Sequence, residues 1–236
     1  MAQAQELIFE ASSQAADSLV GVELVIFDFD GVIADSEVLS LGTLRYALAD
    51  WGLQMSLEQV RTLFLGKSLA SISDYIASNG AANVSEDFAD HWQNTLFEQL
   101  RTKLKPMTEV LPFLEFLNKR GVKYCIASSS SFDRLKLSLS AICLEDQFPD
   151  IFSAEQVQNG KPAPDLFLFT AKHMNKHPSA CLVIEDSPYG VKGAAAAGMR
   201  VFGFVAGKHL SDIQNTHAQL LINAGAERVL KGFAEI

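Results

Sequence analysis

Asp28-Phe29-Asp30-Gly31 places two carboxylates two residues apart, directly after the apolar run of Val22, Leu24, Val25, Ile26 and Phe27. The run reads as a buried parallel strand. In a strand, residues i and i+2 share a face. Asp28 and Asp30 can therefore face one crevice at the carboxyl end of the sheet, where open α/β sheets bind ligands. Gly31 permits a sharp turn there. A carboxylate can act as a covalent nucleophile toward phosphorus, and a second one beside it can move the proton. Asp-Gly is also a common turn dipeptide, so the chemistry depends on what else reaches the crevice.

Three later segments bear on it. Ile126-Ala127-Ser128-Ser129-Ser130-Ser131 ends a strand and opens a helix. Hydroxyls and free amides at such a helix start suit a phosphate, and serines there also serve as caps. Gly160-Lys161-Pro162-Ala163-Pro164-Asp165 has prolines that stiffen a helix entry and can fix the Lys161 ammonium, a group able to offset phosphate charge. Val183-Ile184-Glu185-Asp186-Ser187 is a second apolar strand ending in carboxylates, the hard oxygen donors that magnesium prefers. Each segment alone also fits an ordinary turn, cap or solvated surface.

The elements that must position them alternate. After Asp35 the pattern turns helical: Val38, Leu41, Leu44, Leu48 and Trp51 form a stripe that Gly52 can end. Ser56 and Gln59 make a capping box for a helix through Leu63 or Phe64. Further helices are predicted from Leu69 to Ser78, before Gly80, and from Ser85 to about Leu104, before Pro106. Four helices with no strand between them form a small inserted bundle.

From residue 108 onward strands and helices alternate. Strands are expected at Val122 to Ala127, 151–153, Cys181 to Ile184 and Val201 to Val205. Helices are expected at Val110 to Leu117, Phe132 to Leu139, Leu166 to Met174 and Val191 to Ala197. This is an α/β chain with a Rossmann-like parallel sheet core. Residues 22–35 and 106–236 form that core, 36–105 the helical insert, and 1–21 an extension without assigned function. Strand order is not legible in one sequence; right-handed crossovers are assumed.

The four chemical segments, in this order and each at a strand end or the helix entry beyond, resemble the haloacid dehalogenase-like superfamily. The likeness runs from about residue 22 to 205. Lys-Pro-Ala-Pro-Asp and Glu-Asp-Ser-x-x-Gly look most like the branch of β-phosphoglucomutase and small sugar-phosphate phosphatases. The resemblance implies Asp28 as nucleophile and Asp30 as general acid/base. It implies Ser128, Ser129 and Lys161 as phosphate binders. Asp28, Asp186 and the Asp30 carbonyl would hold Mg2+, with Glu185 assisting, and the insert would be a cap.

In the cap, the position aligned without gaps to a histidine of the mutase is Ser40, and two basic positions fall at Leu65 and Leu69. A phosphatase is therefore expected rather than a mutase. Gly66 and Lys67 are candidate cap contacts to the substrate. Phe64-Leu65-Gly66-Lys67 faintly resembles the cap of 6-phosphogluconate phosphatases. A catalytically silent binding protein of the same fold is the reading from another class.

Composition bounds the remainder. The 236 residues are 48% hydrophobic, and the formal net charge is -9. That balance disfavours a nucleic-acid surface but not an anionic substrate, since a metal and one lysine invert the local charge. No run approaches the roughly 18 apolar residues of a membrane helix. The N-terminus does not resemble a secretory signal. Cys125, Cys143 and Cys181 show no metal-site spacing. A reduced cytoplasmic enzyme, monomeric or a small homo-oligomer, acting on a small phosphorylated metabolite is expected. His173 and His177 have the spacing of a helical metal pair but no third ligand, so they read as a polar helix end.

Overall fold

The computed structural model describes residues 18–65, 69–79 and 86–236. Six strands form one parallel sheet: β1 (Leu24–Phe27), β2 (Lys123–Ser128), β3 (Ile151–Ser153), β4 (Cys181–Glu185), β5 (Arg200–Phe204) and β6 (Arg228–Leu230). Their order is β3-β2-β1-β4-β5-β6. β1 is central. Phe27 is in register with Ile126 on one side and with Ile184 on the other. The chain leaves β1 for β2 on one flank and later returns to β4 on the other. The crevice at the carboxyl ends of β1 and β4 is thus the point where the winding reverses, the usual ligand position in such sheets.

Both faces of β1 are covered, which is why its sequence is continuously apolar. Val25 and Phe27 enter one buried cluster, and Leu24 and Ile26 enter the other. Phe27 meets Phe113, Phe148 and Phe233 edge-on, with centroids 5.9, 6.1 and 6.1 Å away.

Nine α-helices lie among the described residues. Four follow β1: α1 (Glu37–Asp50), α2 (Leu57–Phe64), α3 (Leu69–Asn79) and α4 (Glu86–Lys103). The Ser56/Gln59 capping box opens α2 as expected. α1 and α4 pack through Trp92, whose Nε1 donates to Thr43 Oγ1 at 3.1 Å. The two chain crossings into and out of this segment are paired. Asp35 N donates to the Lys105 carbonyl at 3.0 Å, and Met107 N to the Ile33 carbonyl at 2.8 Å.

The remaining helices are α5 (Val110–Lys119), α6 (Phe132–Ala141), α7 (Asp165–His173), α8 (Pro188–Ala196) and α9 (Gln214–Ala224). α8 starts three residues before the expected Val191. Ser187 caps it, accepting from Gly190 N at 3.0 Å, and Pro188 occupies the first turn. α9 and β6 had no counterpart in the sequence reading. His173 sits in the last turn of α7, and His177 caps a short 3-10 turn. Ser18 is held by Arg200 and Arg228, so the last residues of the expected N-terminal extension lie on the core. Residues 1–17 lie outside the described residues, as do the expected contacts Gly66 and Lys67, the stop at Gly80 and the helix start at Ser85.

Candidate active site

Asp28 follows β1 immediately, and its amide donates to the Ile184 carbonyl of β4 at 2.9 Å. That bond fixes the aspartate at the switch point. Lys161, from the loop before α7, reaches it with a buried ammonium. Its Nζ donates to Asp28 Oδ1 at 2.6 Å, to Glu185 Oε1 at 2.6 Å and to the Ala127 carbonyl at 3.0 Å. All three ammonium donors are used. Burial pulls the Lys161 pKa down, but Asp28 and Glu185 reverse this and hold it above the usual lysine range. It is a permanent cation.

The carboxylates are crowded. Asp28, Glu185 and Asp186 are buried and present oxygens within 4.8 Å of one another. Burial pushes the Asp28 carboxyl well above its ordinary range. Lys161 opposes the rise, and the charges of Glu185, Asp186 and Asp30 add to it. Asp186 is likewise raised, by burial and then by Glu185 and Asp30. Three hard oxygen donors share one lysine, so the cluster carries an excess of negative charge. A small divalent cation would relieve it. The donor set fits magnesium.

Two glycines make room for these groups. A Cβ on Gly31 would stand 1.9 Å from Asp186 Oδ2, and its φ of +79° already disfavours a side chain. A Cβ on Gly190 would stand 1.7 Å from Glu185 Oε1. The glycine of Glu-Asp-Ser-x-x-Gly is therefore there to let α8 start over the Glu185 carboxylate, which also accepts from Ser187 N at 2.8 Å.

The Asp30 side chain is turned to a different set of partners. Its Oδ1 accepts from Ser36 Oγ at 2.5 Å and from Arg134 NH2 at 2.7 Å, and its Oδ2 accepts from Ser130 Oγ at 2.6 Å. Burial alone would raise this carboxyl. The Arg134 charge and the hydrogen bonds from Ser130, Ser36 and Arg134 outweigh burial and set it below the usual range. The two aspartates of one motif thus meet opposite electrostatic surroundings.

Ser128 ends β2, is buried, and accepts from Ser130 N at 3.1 Å. Ser129 is exposed, and both serines line a cavity of about 440 Å³. Asp28, Asp30, Lys161, Glu185 and Asp186 line it from the sheet side. Ser40, Leu41, Phe64, Leu65, Trp92 and Phe97 line it from the four-helix segment. The volume is in the range of small-molecule sites. Asp28, Asp30, Ser128, Ser129, Lys161, Glu185 and Asp186 are thereby brought together around one space.

Several groups at this site were not singled out from the sequence. Ser36, Ser130 and Arg134 hold Asp30. His217 Nε2 donates to the Asp186 carbonyl at 2.6 Å. His209 lies 3.3 Å from Asp186 Oδ2, buried, with neither ring nitrogen hydrogen-bonded among the described residues. Burial lowers the pKa of both histidines. Glu37 lines the cavity, and burial, then the Asp30 charge, raises its pKa to about 7. The serine run pointed toward Ser130, but nothing local in the sequence pointed to Arg134 or His209.

Residues 25–204 match the haloacid dehalogenase-like hydrolase family. The chain belongs to this family. It is 27% identical over 190 residues to the 6-phosphogluconate phosphatase of Escherichia coli, covering 80% of this chain and 85% of that one. It is 28% identical over 215 residues to the phosphorylated carbohydrates phosphatase of Thermotoga maritima, covering 89% and 94%. Among solved structures, a family hydrolase from Deinococcus radiodurans with bound phosphate and sodium superposes with a TM-score of 0.73 at 30% identity, covering 91% of this chain and 93% of that one. The resemblance read from the four segments and the α/β fold class are borne out. Among the described residues no helix is long and apolar enough to cross a membrane.

Proposed function

We propose that this phosphoric monoester hydrolase releases phosphate from a small phosphorylated metabolite, a sugar phosphate, through an aspartyl-phosphate on Asp28. The observation that carries the reading is the contrast between the two aspartates: Asp28 beside the Lys161 ammonium in an anion-crowded cluster, Asp30 held apart by Ser36, Ser130 and Arg134. The E. coli and T. maritima relatives, both phosphatases, support it.

Asp28 attacks phosphorus, and the bond from phosphorus to the ester oxygen breaks. Asp30, kept ionised at rest by Arg134 and its hydrogen bonds, takes up a proton as the doubly charged ester enters beside it and gives it to the departing alkoxide. The resulting Asp30 carboxylate then takes a proton from water, whose oxygen attacks the aspartyl-phosphate. The bond from phosphorus to Asp28 breaks, releasing phosphate and restoring both aspartates. Ser128 and Ser129 bind phosphoryl oxygens, and Lys161, whose donors are taken by Asp28, Glu185 and Ala127, binds the phosphoryl group through its charge. Asp28, Asp186 and the Asp30 carbonyl would hold Mg2+, assisted by Glu185. When bound, the ion supplies charge neutralisation at the phosphoryl oxygens.

Residues 36–105 act as a cap over a core made of 22–35 and 106–236. The cavity lining from both segments supports this division. Where the mutase carries a basic cap, this chain lines the cavity with Ser40 and Leu65, which favours release of phosphate to water over transfer to a second sugar hydroxyl. The three free thiols fit a reducing, cytoplasmic setting.

Phosphate release from p-nitrophenyl phosphate is the test. Asp28→Asn should keep the circular dichroism of the parent and lose nearly all turnover, about 10³-fold or more. Turnover equal to wild type in the purified variant would sink the assignment.

A further inference from the structure

Lys161 and Arg134 are the only basic side chains among the described residues that line the cavity. They are not equivalent. The Lys161 ammonium has spent its three donors on Asp28, Glu185 and Ala127. Arg134 carries five N–H donors and uses one on a described partner, NH2 to Asp30. Its Nε is buried without a hydrogen bond among the described residues. An unspent guanidinium at a ligand cavity is a built receptor for a planar anion.

Its place says which part of the substrate it meets. Lys161 contacts the nucleophile and so belongs to the phosphoryl side. Arg134 contacts Asp30, the group that protonates the ester oxygen, and so belongs to the leaving-group side. Away from the sheet-end carboxylates the only other charged lining residues among those described are Glu37 and Glu155, which repel an anion, and the rest of the lining is apolar or uncharged. We infer that Arg134 is a specificity residue that binds a carboxylate on the leaving group, so that the enzyme selects phosphorylated sugar acids over their neutral analogues. This rests on the phosphatase reading above and deepens it. A chain of three hydrogen bonds, from ester oxygen to Asp30, to Arg134, to the carboxylate, spans at most about 13 Å once the widths of the carboxyl and guanidinium groups, about 2 Å each, are added. The carboxylate therefore lies within the reach of a three- to six-carbon chain from the phosphorylated oxygen.

Two substrate pairs differ only in a carboxylate replaced by a hydroxymethyl group: 6-phosphogluconate with glucitol 6-phosphate, and 3-phosphoglycerate with glycerol 3-phosphate. Wild type should favour the acid in at least one pair, by about tenfold or more in kcat/KM. Arg134→Gln should bring that ratio to about one, and Arg134→Lys should restore part of it. A wild-type preference for the neutral member of both pairs would overturn the inference. So would an equal loss on acid and neutral substrates in Arg134→Gln, because Arg134 would then serve only to position Asp30. Calorimetric binding of the same four compounds to Asp28→Asn, with and without Arg134→Gln, reads the preference without turnover. Failure of wild type to release phosphate from any ester would count against the phosphatase reading, while the binding ratio would still decide the role of Arg134.

Discussion

Asp28 and Asp30 are two residues apart, and their carboxyls are driven in opposite directions by what each touches. The same dependence on neighbours makes small residues indispensable. Gly31→Ala would drive a methyl into Asp186 Oδ2 from a backbone at φ +79°. We expect activity to fall by at least about 10²-fold, because a displacement of about 1 Å costs that much at a positioned site; steady-state turnover with a circular dichroism control reads it. Glu37 gives a pH signature in metal-free protein. Its pKa in the fold is about 7, against an ordinary 4.5, so the folded chain binds the extra proton between those values. Wild type therefore loses stability as pH rises through this window, and a glutamine does not. A shift of that size would correspond to at most about 3 kcal/mol, and partial exposure of Glu37 reduces it to about 1–2 kcal/mol. Glu37→Gln should raise Tm at pH 8 and converge with wild type toward pH 4.5. A constant difference across the range would contradict the assignment.

α2 is tied to the loop after β5 by one side chain. Arg61 grips Asp212 with two bonds, 2.6 and 2.8 Å, and donates to the His209 carbonyl at 2.9 Å. His209 stands against Asp186, so this contact joins the helical segment to the acidic cluster. Asp212 is exposed, and the pair contributes little to global stability. Arg61→Ala should therefore barely move the urea midpoint yet change kcat and KM together, as loss of closure does. Faster amide exchange confined to α2 and residues 208–213 would locate the effect; unchanged kinetics would remove Arg61 from closure. Elements like α2 were legible because their signals are local: a capping box, an apolar stripe, a glycine stop. α9 escaped because its only buried residues are His217 and Leu221, and β6 because a strand of three residues carries no pattern. Arg134 escaped for a different reason. It is an ordinary first-turn arginine until the fold brings it to Asp30, more than a hundred residues away in the chain.

Two observables follow for the molecule as a whole. Phe27→Ala would empty the space where β1 meets Phe113, Phe148 and Phe233. It should lower unfolding free energy by about 3–5 kcal/mol, measured by urea titration. Chelation should abolish turnover, and magnesium should restore it where calcium, with its looser coordination, does so poorly. Full activity in metal-free enzyme would refute the cation's role. Strand order, by contrast with the strand ends, could not be read. It is a property of pairings between segments far apart in sequence, and every strand carries the same apolar signal. That order also bears on synthesis. β1 emerges first, and both of its neighbours emerge late: β2 only after five helices, β4 later still. At about 5–20 residues per second, a strand with two bare edges waits roughly 5–20 s for its first partner. The nascent chain must keep that apolar ribbon from pairing with a neighbour on the same messenger. We expect the demand for chaperones to be greatest in this interval, before the catalytic crevice can exist.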